Sequence, residues 1–215
     1  MTRKEMADQV KGWLGLQDIA VLDETDLIDT QLHLGTIDLL ARTKCVVRHV
    51  HLMTQAGVYQ YILPHDVLAI VEVEGGWFTK ARRDQGICPA FTLVRSDLLR
   101  ISPVPQLDGD LDVWAVKRPE KMTADTDSPG DEDFGAIPDE FQDAILTYAM
   151  WKCADYSDDS GSGQGERYRV QYEGQDGRMG RLLQIRSQVN RRGMATAPSR
   201  RVNLTGTLPR GAWIG

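Results

Sequence analysis

At 215 residues the chain is long enough to bury a real core, in one domain with an excursion or in two small ones. Its 41% hydrophobic and 26% charged residues exclude a fibre or a wholly disordered chain. A formal charge of -6 argues against strong non-specific nucleic-acid binding by the whole surface. The charge is unevenly spread: Glu120 to Asp159 holds 12 acidic residues against 2 basic ones, whereas Arg178 to Gly215 carries 8 arginines and no acid. Cys45, Cys88 and Cys153 lie far apart in no paired pattern and read as buried thiols of a reducing compartment. Apolar runs stay well short of the roughly 18 residues of a membrane helix. Met1 to Trp13 is too charged for a signal peptide. The expectation is synthesis in a cytoplasm and no membrane partner.

Thr2 and Glu5 match a capping box, and Met6, Val10, Trp13 and Leu14 follow on one face of a short first helix that Gly15 ends. A second helix is expected from Thr25 or Asp26 to about Val46. Leu27, Ile28, Leu32, Ile37, Leu40 and Ala41 give it apolar contacts on more than one side, although Gly35 costs about 1 kcal/mol of helix propensity relative to alanine. After Val50 the period changes. Val58 to Leu63 and Val67 to Val73 read as extended runs broken by Pro64, Gly75-Gly76 is a hairpin-turn candidate, and Phe91 to Arg95 and Asp110 to Lys117 are further strands. Trp77, Phe78, Trp114 and Tyr59 are candidates for that region's core or for a contact between subunits, with at least two of them expected in the core.

Pro119 to Gly135 is a connector rich in proline, glycine and aspartate. The stretch from Ile137 to Tyr156 then organises the chain. Pro138 suits a first helical turn, Asp139 and Glu140 place negative charge at the positive helix end, and Phe141, Ile145, Tyr148, Ala149, Cys153 and Tyr156 recur on one side. Ser157 to Gly165 reads as a solvent-facing loop. Tyr168, Tyr172, Met179, Leu182, Leu183 and Val189 suggest a last helix interrupted by Gly174, Gly177 and Gly180. Beyond Asn190 no sustained period remains, so the tail is expected to order only against a partner.

The fold class is therefore α+β: mainly an α-helical bundle, with a small antiparallel β insertion and an extended C-terminal tail. Residues 1–48 give N-terminal bundle helices, 49–119 the β-rich insertion, 120–190 the connector and C-terminal bundle helices, and 191–215 the tail. Val10, Trp13, Leu32, Leu40, Phe141, Ile145, Tyr148 and Leu182 are the expected bundle core.

Motifs that carry chemistry are sought and not found. His33 lies in a helix, His49 and His51 flank a strand start, and His65 sits between Pro64 and Asp66. The His49/His51 pair offers two metal ligands but no Cys or carboxylate cluster at ligand spacing joins it, so no metal or cofactor is expected. Ser157-Asp158-Asp159-Ser160-Gly161 lacks the spacing of a calcium loop, and Gly161, Gly163 and Gly165 lack the lysine of a phosphate cradle. No G-x-S-x-G, H-E-x-x-H or C-x-x-C occurs, and an enzyme is not expected.

The order of these features carries a resemblance. Two N-terminal helices are followed by a strand-rich insertion with Tyr59, Tyr61-Ile62-Leu63-Pro64 and Asp66, then an Arg118-Pro119 exit. A helix opens at Ile137-Pro138 and contains Ala144, Leu146, Tyr148 and Ala149. Over roughly residues 1 to 190 this resembles the head-to-tail adaptor, or connector, proteins of tailed bacteriophages. The resemblance implies a non-enzymatic virion subunit of the head-tail neck, made in the host cytoplasm. It implies a homo-oligomeric ring, a 12-mer, beneath the portal protein. Such a ring extends the channel through which double-stranded DNA passes without specific binding, and offers a platform to the next neck or tail protein. The C-terminal extension would bind the portal, which here points to Arg191, Arg192, Arg200, Arg201, Leu204, Leu208, Arg210, Trp213 and Ile214. The glycine-interrupted last helix and the long Arg-rich tail depart from the shorter members. Asp125, Asp127, Asp131, Glu132 and Asp133 read as a solvated connector, or in a ring as channel charge that repels DNA phosphates. Two rival readings are another phage neck or tail completion subunit, and a DNA-binding module that uses the basic C-terminus.

Overall fold

The computed structural model describes residues 1–15, 24–76, 90–95, 97–157, 163–174 and 177–184. Its helices are α1 (Arg3–Leu14), α2 (Glu24–Thr43), α3 (Asp139–Ser157) and α4 (Gln164–Glu173), and residues 178–184 are also helical. Among the described residues, six strands lie between α2 and α3: β1 (Arg48–Thr54), β2 (Gln60–Ile62), β3 (Val67–Gly75), β4 (Ala90–Arg95), β5 (Leu98–Ser102) and β6 (Gly109–Lys117). The result is a helical bundle carrying a β module.

The capping box at the start of α1 is formed. Glu5 N-H donates to Thr2 Oγ1 at 3.3 Å and Thr2 N-H to Glu5 Oε2 at 2.9 Å, and Gly15 closes the helix in the left-handed region at φ 68°. Helix α3 is the axis of the bundle, because it packs against α1, α2 and α4. Phe141, Ala144, Ile145, Leu146, Ala149, Met150, Cys153 and Ala154 are all buried along it. Met6 and Val10 of α1, Ile28, Leu32, Leu39 and Leu40 of α2, Tyr172 of α4, and Met179 and Leu182 beyond it join the same core. Tyr148 is partly buried against that core. Burial around so much of α3 exceeds the single face read from its sequence, and Tyr156 leaves that face to stand 64% exposed near the helix end.

The expected small sheet is two sheets, each three-stranded and antiparallel, in the orders β1-β6-β3 and β2-β5-β4. Among the described strands β3 pairs with β6 and not with β4, and the residues that follow the hairpin-turn candidate Gly75-Gly76 fall outside the described residues. Tyr61, Leu63, Val67, Leu99, Ile101, Leu111, Val113 and Ala115 draw both sheets around one apolar core. Tyr59 and Trp114 lie on the surface rather than in that core, and Trp77 and Phe78 fall outside the described residues. The opposite face of β6 presents Val116 to the helical core, where Leu68, Ala69 and Val71 of β3 also pack. Period-two alternation thus splits the residues of β6 between the two cores.

The last helix is broken at Gly174 and Gly177, whereas Gly180 lies within the helical residues 178–184. Helix α4 ends at Gly174, whose N-H donates to Val170 O at 2.9 Å, and the chain re-enters a helix at 178. A Cβ at Gly177 would lie 2.7 Å from Gln171 O and 2.9 Å from Gly174 N, so this turn requires glycine.

Candidate functional site

Three surface constructions stand apart from the core, and the first is the start of the chain. The Arg3 guanidinium bonds Asp29 of α2 at 2.5 Å and also pairs with Asp125 of the connector, while its Nε donates to Ala124 O at 3.2 Å. Burial opposes its charge, yet the two carboxylates outweigh that effect and hold its pKa above the ordinary value. Arg3 N-H donates to Asp127 O at 2.6 Å, and the amino group of Met1 donates to Gln142 Oε1 of α3 at 2.9 Å. The acidic connector is folded locally in the same manner. Asp127 Oδ2 accepts from Thr123 N at 2.7 Å and Ala124 N at 2.8 Å, and Asp131 Oδ2 accepts from Ser128 N at 3.0 Å. Glu132 stands largely exposed, 3.5 Å from Arg48, and Asp133 O accepts from Glu120 N. Of the five candidate channel charges, Asp125, Asp127 and Asp131 hold turns or pair with Arg3 as well as presenting charge.

The second construction is a groove of about 740 Å³ beside α3. Gln9 and Trp13 of α1 form one wall, and Tyr168, Val170 and Gln171 of α4 with Arg178 and Arg181 form the other. Its floor is Asp143, Leu146, Thr147 and Met150 of α3. Trp13, expected in the bundle core, is 68% exposed here. It belongs to the same angular face as Val10 but sits in the last turn of α1, where it lines the groove.

The third lies on the outer face of β1-β6-β3. Cross-strand register sets His51 opposite Asp112 and Asp112 opposite Glu74. His49 Nε2 lies 2.7 Å and His51 Nδ1 3.0 Å from the same Asp112 Oδ1, and His51 Nε2 is 3.4 Å from Asp110. The Trp114 ring lies against His49 in a tilted arrangement, with centroids 5.0 Å apart and planes at 43°. The bond to Asp112, helped by the charge of Asp110, raises the pKa of His51, and the bonds to His51 and His49 lower that of Asp112. Burial lowers the pKa of His33, with Lys121 and Arg118 adding to it. Among the described residues, no group of three or more His, Cys, Asp or Glu side chains is placed to hold a metal ion. Burial pushes the Cys153 thiol up to about 12, which makes it a packing residue rather than a nucleophile.

The described residues thus form a helical bundle with an inserted β module and turns built on carboxylates. The family model described as SU10 adaptor protein matches residues 1–201. The chain belongs to the SU10 adaptor family. No curated protein matches it in sequence. The adaptor is thus a structural, non-catalytic head-to-tail connector protein of a bacteriophage, associated with the virion, as the resemblance implied. Among the described residues of the adaptor, no helix is long and apolar enough to cross a membrane.

The expected site residues of the adaptor divide sharply. Val10, Leu32, Leu40, Phe141, Ile145 and Leu182 are buried, Tyr148 is partly buried, and Trp13 is surface. Arg191, Arg192, Arg200, Arg201, Leu204, Leu208, Arg210, Trp213 and Ile214 all fall outside the described residues. The groove was not legible beforehand. Its walls come from α1 and α4, far apart in sequence, and its one local signal was an aromatic residue at the end of a short amphipathic helix.

Proposed function

We propose that the adaptor closes into a 12-membered ring beneath the portal, continues the DNA channel and offers a platform to the next neck or tail protein. In this reading the helices of 1–48 and 120–190 act as one wedge, 49–119 is the insertion it carries, and 191–215 is the tail that binds the portal. The observation that carries the reading is the family match over residues 1–201 of a chain whose helices share one core around α3. A rigid wedge suits repeated heterologous contacts that close a cycle. Arg191, Arg192, Arg200, Arg201 and Arg210 with Trp213 are residue types enriched among binding anchors, and Leu204, Leu208 and Ile214 add apolar contact. Asp125, Asp127, Asp131, Glu132 and Asp133 would line the passage and repel phosphates, so that DNA slides without sticking.

Electron microscopy of the protein mixed with purified portal tests stoichiometry, position and tail path together. A ring of copies on the portal vertex is the expected image. A chain truncated after Pro198 should keep its folded bundle and lose portal attachment, and unchanged attachment would remove the tail from the interface.

A further inference from the structure

The two sheets of the β module share one apolar core, so their outer faces look away from each other on opposite sides of the module. Cross-strand register gathers Glu72 and Glu74 of β3 with Asp110 and Asp112 of β6 on the outer face of β1-β6-β3. His49 and His51 of β1 share that face, and two imidazoles against four carboxylates leave it negative whether or not they are charged. Met53 stands 70% exposed there, and Trp114 is exposed beside His49.

The outer face of β2-β5-β4 has the opposite sign. Leu99 and Ile101 of β5 point into the core, so Arg100 between them points out, and register adds Ile62 of β2 and Arg95 of β4 to the same face. Ile62 is 73% exposed. The Arg100 guanidinium lies over the Tyr59 ring, 5.4 Å from its centroid, and has no carboxylate partner among the described residues. Asp97 at the rim lies 3.9 Å from Arg95, and two guanidinium groups against that carboxylate leave the face positive.

A subunit of a cyclic ring meets its two neighbours through two different surfaces, because the contact that generates a ring is heterologous. Two faces opposite in position and in sign, each with exposed apolar side chains, meet that requirement. Like faces would set carboxylates against carboxylates. We propose that the negative face of β1-β6-β3 in one copy packs on the positive face of β2-β5-β4 in the next, with Met53 and Trp114 against Ile62, and Glu72 and Glu74 opposite Arg95 and Arg100. The inference rests on the ring reading and supplies the contact that reading leaves open. Charges closed between two faces are screened far less than charges that act across solvent, so salt relieves repulsion between whole subunits more than it loosens this contact.

At about 4.8 Å between strands and 3.3 Å per residue, each face spans about 15 by 17 Å. That is well under the ~800 Å² a standard interface buries on each partner, so two copies alone hold weakly and covalent capture is the suitable readout. The experiment uses full-length chains at sub-millimolar concentration without portal. A probe copy with Ile62→p-benzoylphenylalanine, mixed with an isotope-labelled acceptor copy, should capture acceptor peptides 48–54, 70–76 or 109–114. An acceptor with Glu72→Arg and Glu74→Arg should be captured about tenfold less, since guanidinium groups then face each other. A probe copy that also carries Arg95→Glu and Arg100→Glu should recover that acceptor and lose the unchanged one, a reciprocity that misfolding cannot produce. Capture of acceptor residues 60–62 or 90–102, capture elsewhere, no capture between copies, or reversed charges that fail to restore it would overturn the proposal. Electron microscopy with portal separates it from the ring reading. A ring on the portal whose members give none of these cross-links would keep the ring and discard the contact, and capture as stated with no ring on the portal would do the reverse.

Discussion

Arg3 joins three parts of the chain that lie far apart in sequence. Its guanidinium has 11% of its surface exposed and Asp29 has 9%, while the second oxygen of Asp29 has no hydrogen-bond partner among the described residues. Removing the cation strands a covered carboxylate, a larger penalty than losing an exposed ion pair and a smaller one than opening a fully buried pair. Arg3→Ala should therefore lower unfolding stability by about 2 kcal/mol, read as a lower denaturant midpoint at unchanged slope. The histidine cluster responds to pH, and its two shifts run in opposite senses. His51 has a folded pKa raised above about 6.5, so its contribution is complete below that value and is lost as pH rises through the folded pKa. Asp112 has a depressed folded pKa, so its share is present above the unfolded value of 3.8 and is lost as pH falls through the folded one. The clip between β1 and β6 is thus tightest between about pH 4 and 6.5. An NMR titration should place His51 above an ordinary histidine, and Asp112→Asn should bring it down. An unmoved His51 in that variant would show that the bond to Asp112 is not the cause.

At the scale of elements, the crossing of α2 and α3 depends on one small residue. A Cβ at Gly35 would sit 3.0 Å from Tyr148 Cδ1 and 3.3 Å from Ile145 O. The propensity that glycine loses is therefore offset by the close approach it permits. Gly35→Val should cost about 1–3 kcal/mol through overpacking, whereas a change at the exposed neighbour Leu34 should be nearly neutral. Comparable midpoints for the two variants would refute a tight crossing. Such pairings explain how far the sequence could be read. Thr2 with Glu5, the buried series of α3 and the alternation of β6 are set within a few residues, and each was visible. Strands β1 and β5 do alternate in burial, but over only seven and five residues, too short a run to stand out beside their neighbours. The period also assigns a side chain to a face without naming the strand beside it, so one expected sheet became two. Tyr156 and Trp13 were misplaced because angular position predicts burial only where a neighbour covers that turn.

For the molecule as a whole, charge and burial bear on assembly in different ways. Strand β6 contributes Val113 and Ala115 to the β core and Val116 to the helical core, which ties the module to the wedge that would carry it. Charge, by contrast, is separated along the chain. Six arginines and no acid between 185 and 215 leave a net charge of -12 on the rest of a chain whose total is -6. Neighbouring subunits in a ring would then bring strongly like-charged bodies together, with repulsion that salt screens over about 10 Å at 0.1 M. In the proposed portal contact the basic tail would meet its partner through attraction, which the same salt weakens. The two assembly steps should consequently respond to ionic strength in opposite directions. Between about 0.05 and 0.5 M salt, self-association measured by sedimentation should strengthen, and capture on immobilised portal by a single subunit should weaken. Weakening in parallel would mean that attraction between unlike charges also joins the subunits, and would move the arginines from the portal contact to the ring contact.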